Sequence, residues 1–168
     1  MNDTEIYEAI GRFVVAFQML ENELGEIIWF CTDSSLSKQS GGKREARISE
    51  QTFGRLLGLA ERVARPHFRE AGSEQLARFD SAVRRCSDLS ARRNGIIHAA
   101  YLHVETLEGD VAFVRRRTPR ELAGESRLPY ENLNVGSFDT ALAEIAAVHG
   151  ELFALHRGLM YSYNPRVS

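Results

Sequence analysis

The chain has 168 residues, of which 43% are apolar, enough for one ordinary domain with its own core, and no second domain is expected. No run approaches the roughly 18 uninterrupted apolar residues of a membrane span, and the opening MNDTEIYEAI lacks the basic and apolar regions of a signal peptide, so a cytoplasmic protein without membrane association is expected. A formal net charge of -2 argues against a protein that grips long nucleic acid, and no DNA partner is expected.

The basic charge is unusual in kind, with 19 arginines against two lysines, Lys38 and Lys43. Arginine's planar fork suits phosphate, yet the same bias arises from genomic base composition and decides nothing alone.

In chain order, Ile6, Ile10, Phe13, Phe17, Leu20, Leu24, Ile27 and Cys31 recur at alternating steps of four and three, which predicts a helix capped by Asn2 or Asp3 and ending near Thr32-Asp33. Val14, Met19 and Ile28 widen the stripe, and a bundle position or a dimer seam would both satisfy it. Residues 33–48 are polar and without period, which reads as an exposed loop, and Gly41-Gly42-Lys43 lacks the spacing of a phosphate-binding Walker loop. A second helix is predicted from Ser49 to about Arg65, with Phe53, Leu56, Ala60 and Val63 inward and Pro66 closing it. Gly54 and Gly58 either weaken it or admit another helix. Ser73 is placed to cap a third helix reaching roughly Ala100, whose stripe of Leu76, Phe79, Val83 and Cys86 continues into Arg93 and Ile97.

Beyond it the period changes to alternation, and residues 101–116 read as a β-hairpin around Leu107-Glu108-Gly109-Asp110. Residues 118–136 look irregular, with a helical turn expected near Arg120-Glu121-Leu122. Ser137 opens a last helix, 137–160, with Phe138, Leu142, Ile145, Val148, Leu152, Leu155 and Leu159 inward. The fold class is therefore mainly all-α, a single helical bundle domain over 1–168 with a small hairpin between its last two long helices. Cys31 and Cys86 fall on apolar stripes, where buried reduced thiols are expected.

Arg93-Asn94-Gly95-Ile96-Ile97-His98, near the end of the third helix and followed by a hairpin and a final helix, resembles the ribonuclease motif of the HEPN superfamily, an Arg, four to six residues and a His, often with Asn after the Arg. The resemblance implies a HEPN-like bundle of four to five helices. It also implies a metal-independent endoribonuclease that serves as a toxin or defence component, with two Arg/His sets meeting at a homodimer interface and a separate antitoxin chain as partner.

The residues support that chemistry in their own terms. Cleaving RNA without a metal needs a base near the 2′-hydroxyl, an acid for the departing 5′-oxygen, and positive charge at the phosphate. His98 can move the proton, Arg93 can hold phosphate oxygens bidentately, and Asn94, one turn earlier, can orient His98. Arg93 and His98 lie roughly 140° apart around an ideal helix, so either a bend near Gly95 with a long arginine reach, or a second subunit, must bring them together. Arg92, Arg115, Arg116 and Arg117 are the candidate RNA contacts, although a run of charge at a strand end also discourages unwanted strand pairing.

The structural alternative is that Arg93 and Asn94 satisfy carbonyls and pair with a carboxylate such as Asp88 or Glu105, while His98 sits at a helix C-terminus favoured by the dipole. His149 and His156 share a face but lack the partner spacing of a metal site, and read as core or surface histidines. His103 can point toward the motif or toward water. No metal ligand set, dinucleotide fingerprint or nucleophile elbow is present in the sequence, so no cofactor is expected. A non-catalytic dimerisation or protein-interaction module acting through the first-helix seam is the second reading, and a small-ligand sensor the third.

Overall fold

A computed structural model describes residues 3–33, 51–105, 111–117, 130–132 and 136–163. The described elements are α1 (Asp3–Asp33), α2 (Phe53–Ala71), α3 (Ser73–Ile97), β1 (Ala100–Glu105), β2 (Val111–Arg116), β3 (Tyr130–Asn132) and α4 (Gly136–Tyr163). The class is mainly all-α, a helical bundle with a small antiparallel sheet before the last helix.

The apolar stripe of α1 decides the architecture. Ile6, Phe13, Phe17, Leu20, Leu24 and Ile27 are at most 2% exposed, because α4 and α2 of the same chain cover them. The core of the seam is therefore a bundle position, whereas Val14 and Met19, which widen the stripe, stay exposed. Each such side chain contributes about 1.5–3 kcal/mol by leaving water. Phe13 meets Phe138 and Phe30 meets His156, so α1 and α4 run in the same direction. α3 runs against α4, tied to it by Arg78–Glu151 at 2.7 Å and Arg85–Glu144 at 2.6 Å. Glu144 is thereby held below the usual carboxylate range, chiefly by the hydrogen bond from Arg85.

α2 and α3 form an antiparallel hairpin in which Phe68 stacks on Phe79 and Arg65 pairs with Asp80 at 2.9 Å. The second helix begins later and ends later than its sequence pattern suggests, and Pro66 lies inside it. Proline removes one backbone donor, but Pro66 and Arg62 are both exposed, so the orphaned carbonyl is open to water, and burial of Phe68 beyond it holds the last turn. The hairpin turns on Gly72 alone, at φ 125° and ψ 163°, a region essentially closed to residues with a Cβ. Ser73 is consequently the first residue of α3 and makes no side-chain cap, contrary to the role its type suggests. α3 ends at Ile97, short of Ala100, which already belongs to β1.

β1 and β2 pair antiparallel across the expected hairpin, with Tyr101 opposite Arg115 and His103 opposite Phe113. A third strand, β3, pairs with β2 at Arg115 opposite Glu131, in a stretch whose prolines and glycines read as irregular. The expected loop over 33–48 lies, beyond Asp33, outside the described residues, as do the hairpin turn at 107–110 and the helical turn near Arg120. Cys31 and Cys86 are buried thiols not joined in a disulfide, and burial pushes them up to about 11 and about 12. No helix among the described residues is long and apolar enough to cross a membrane.

Candidate functional site

The last turn of α3 carries no basic residue of its own to offset the partial negative charge of its carbonyls. The sheet supplies the missing donors. Arg115 Nη1 donates to the Gly95 carbonyl at 2.7 Å, and the Tyr101 hydroxyl donates to the Ile96 carbonyl. Because Tyr101 and Arg115 are cross-strand partners, their side chains share one face of the sheet and close on the helix end together. Arg115 is in turn held by Glu131, its Nε to Oε2 at 2.9 Å, and its side chain is 13% exposed. Burial raises the Tyr101 hydroxyl above its ordinary range, and Arg115 lowers it part of the way back.

On this clamped end sit the three motif residues. α3 is unbroken through Gly95 to Ile97, and His98 closes it as the C-cap, its backbone N–H donating to the Asn94 carbonyl at 3.1 Å. Gly95 does not interrupt the helix. A regular helix keeps Arg93 and His98 on different faces, roughly 140° apart. Arg93 is half-buried on the α1 side, with its guanidinium carbon 5.7 Å from the centre of the Phe17 ring. From there it reaches back, donating from Nη1 to Asn94 Oδ1 at 3.2 Å. Asn94 and His98 are both exposed and one turn apart. The structure thus joins Arg93 to Asn94 directly, and sets Asn94 on the same face as His98.

Among the described residues, the carboxylate whose charge acts on Arg93 is Glu21 on α1, not Asp88, and the side chain of Glu105 lies outside them. Burial raises the Glu21 carboxyl above its usual range, and the Arg93 charge draws it back. A half-buried carboxylate beside an arginine on an aromatic ring holds the guanidinium in place. Phe17 and Glu21 were hidden in the sequence by separation, since more than seventy residues stand between them and Arg93.

The other candidates are dispersed. Arg115 is committed to the α3 terminus and Glu131, so its role here is to hold the motif in position. Arg116 is exposed, pointing to the opposite side of β2 by strand alternation, while Arg117 is half-buried and Arg92 exposed. His103 lies on the face of Tyr101 and Phe113, its ring 5.2 Å from that of Phe113 and nearly perpendicular to it.

His149 and His156, far from the motif in α4, have a partner the sequence did not expose. Glu23 of α1 is buried, with Oε1 2.8 Å from His156 Nδ1 and Oε2 4.0 Å from His149 Nε2. His156 hydrogen-bonds a carboxylate enclosed between parallel helices, and His149 stands beside its other oxygen. Among the described residues no three His, Cys, Asp or Glu side chains converge so as to hold a metal ion.

Compared with known proteins, the chain matches no family model, no curated protein and no solved structure.

Proposed function

We propose that the protein is a metal-independent endoribonuclease of HEPN type, in which His98 moves protons, Arg93 binds the scissile phosphate and Asn94 holds the two in register. The observation that carries this reading is the Arg93–Asn94 hydrogen bond at 3.2 Å beside an exposed His98, on a helix end immobilised from outside by Tyr101 and Arg115. A part-buried arginine steadied by Phe17 suits a phosphate whose negative charge grows during 2′-hydroxyl attack. Regular helix geometry holds Arg93 and His98 apart within one chain, which favours a composite site in which a two-fold partner brings its own copy of the motif alongside.

Purified protein incubated with mixed single-stranded RNA in EDTA is expected to cleave it. Substituting His98→Ala should lower the rate by on the order of 10²–10⁴-fold. Because His98 is exposed and only its backbone caps the helix, thermal melting should stay unchanged. Full activity in the variant removes His98 from the chemistry.

A further inference from the structure

The near-neutral balance of the whole chain conceals a partition. Residues 53–97, which span the α2–α3 hairpin, hold nine arginines against five carboxylates, a net charge of +4, whereas residues 3–33 of α1 hold one arginine against seven carboxylates, a net charge of -6. Some of the hairpin's charge is neutralised locally: Arg65 by Asp80, Arg78 by Glu151 and Arg85 by Glu144. Arg55, Arg62, Arg69 and Arg84 are exposed and pair with no carboxylate among the described residues. Arg55, Arg62 and Arg69 recur every seven residues and so form one line along the outside of α2, with a step of about 10 Å.

Beside that line runs a groove of about 540 Å³, walled by Gly54, Leu57 and Gly58 of α2 and by Val83, Arg84 and Ser87 of α3. Glu61 and the Arg65–Asp80 pair also line it. A Cβ at Gly54 would meet nothing within 4 Å, and one at Gly58 only Arg62 Nη1 at 3.9 Å. The two glycines therefore leave a channel open on the outside of the hairpin, and no helix among the described residues fills it. The antiparallel register, with Arg65 against Asp80, sets Gly54 at about the level of Ala91. Arg84, Ser87, Ala91, Asn94 and His98 follow one another at steps of three and four along one face of α3, so the groove leads toward the motif.

We propose that this groove carries the phosphodiester chain of a single RNA strand toward Asn94 and His98, with Arg84 and the Arg55–Arg62–Arg69 line contacting its phosphates. The destination of the strand rests on the ribonuclease reading; the binding itself does not. Adjacent helix axes stand about 8–10 Å apart, which leaves a furrow suited to one strand and too narrow for a duplex.

The test uses a fluorescent 2′-O-methyl RNA of about 12 nucleotides, within the usual span of a single-strand site, whose blocked hydroxyl separates binding from cleavage. In anisotropy titrations across a salt series, the wild-type chain should bind more weakly as salt rises. The triple variant Arg55→Ala, Arg62→Ala, Arg69→Ala should lose roughly tenfold or more in affinity, and its salt slope should fall by about 2, at about 0.7 per phosphate contact. Gly54→Glu, which sets a carboxylate in the channel, should weaken binding as well, and Arg12→Ala on acidic α1 should leave it unchanged. Circular dichroism melting confirms that each variant is folded. Unchanged affinity in the triple variant overturns the proposal, and so does a wild-type chain that ignores the RNA, whether or not it binds an acidic peptide instead. Binding of the blocked strand without cleavage of ordinary RNA keeps the groove and sinks the ribonuclease reading; cleavage that survives with binding unaltered by the triple variant does the reverse.

Discussion

The seam between α1 and α4 and the free end of α3 treat polar groups in opposite ways. In the seam, Glu23 is enclosed and hydrogen-bonded by His156, with His149 near its other oxygen and the core of α1 and α4 alongside. At the end of α3, Arg93 is only half-buried, Asn94 and His98 face water, and the polar partners that are fully engaged, Tyr101 and Arg115, hold the backbone rather than the motif side chains. A polar group sealed with its partner contributes to stability and is closed to ligands. One that is steadied from behind and open in front is available for binding.

Complementation gives the largest test of that contrast. Arg93→Ala and His98→Ala proteins, each inactive alone, should recover RNA cleavage when unfolded and refolded together, because a mixed dimer rebuilds one site with an Arg93 from one chain and a His98 from the other. Recovery absent from a verified mixed dimer would show that each chain supplies both residues to its own site. In the seam the effect should be on stability instead. Glu23→Ala leaves His156 without the carboxylate 2.8 Å from its Nδ1 and should cost about 1–3 kcal/mol in a urea titration, with RNA binding unaltered. A variant as stable as the wild type would mean the seam is wet enough to replace the partner with water.

Arg115→Ala lies between the two regions. It removes a cap from the Gly95 carbonyl and should cost about 1 kcal/mol. Amide exchange should quicken at the last turn of α3 and cleavage should slow, with a smaller change elsewhere. Exchange that stays slow there would show that Tyr101 holds the helix end unaided.

The smallest effect is in pH. Glu144 titrates below its unfolded value, so its pairing with Arg85 stabilises the fold above the ordinary carboxylate range and is lost as pH falls through the lowered value. Glu21 titrates above its unfolded value, so its favourable contribution is present in acid and lost as pH rises through the raised value. Glu144→Gln should therefore be less stable than the wild type at neutral pH and converge with it in acid. Glu21→Gln should melt no lower than the wild type at neutral pH. Denaturant midpoints across a pH series decide both, and a Glu144→Gln deficit that persists in strong acid would assign the loss to packing.

Much of the fold was legible because periodicity reports which side of an element is apolar. The 4-3 spacing from Ile6 to Cys31 marked α1, the spacing from Phe138 to Leu159 marked α4, and the alternation around Tyr101 and Phe113 marked the hairpin. A local rule makes Pro66 a helix terminator because it ignores the burial of Phe68 beyond it, and the three residues of β3 carry too little pattern against nearby prolines and glycines. At the candidate site, the types and spacing of Arg93, Asn94 and His98 were visible. The supports were not, since Phe17, Glu21, Tyr101 and Arg115 bear on α3 from other elements.

The amino-acid order by itself determined the helices, the strand alternation and the chemical identity of the motif, because these depend on neighbours within a few residues. Tertiary structure alone decided that the core stripe of α1 is covered by α2 and α4, that buried Glu23 meets His156 with His149 nearby, and that Arg84 lines an open groove beside the Arg55–Arg62–Arg69 line. Those outcomes depend on which distant surfaces meet and in which direction the helices run, and no local pattern encodes either.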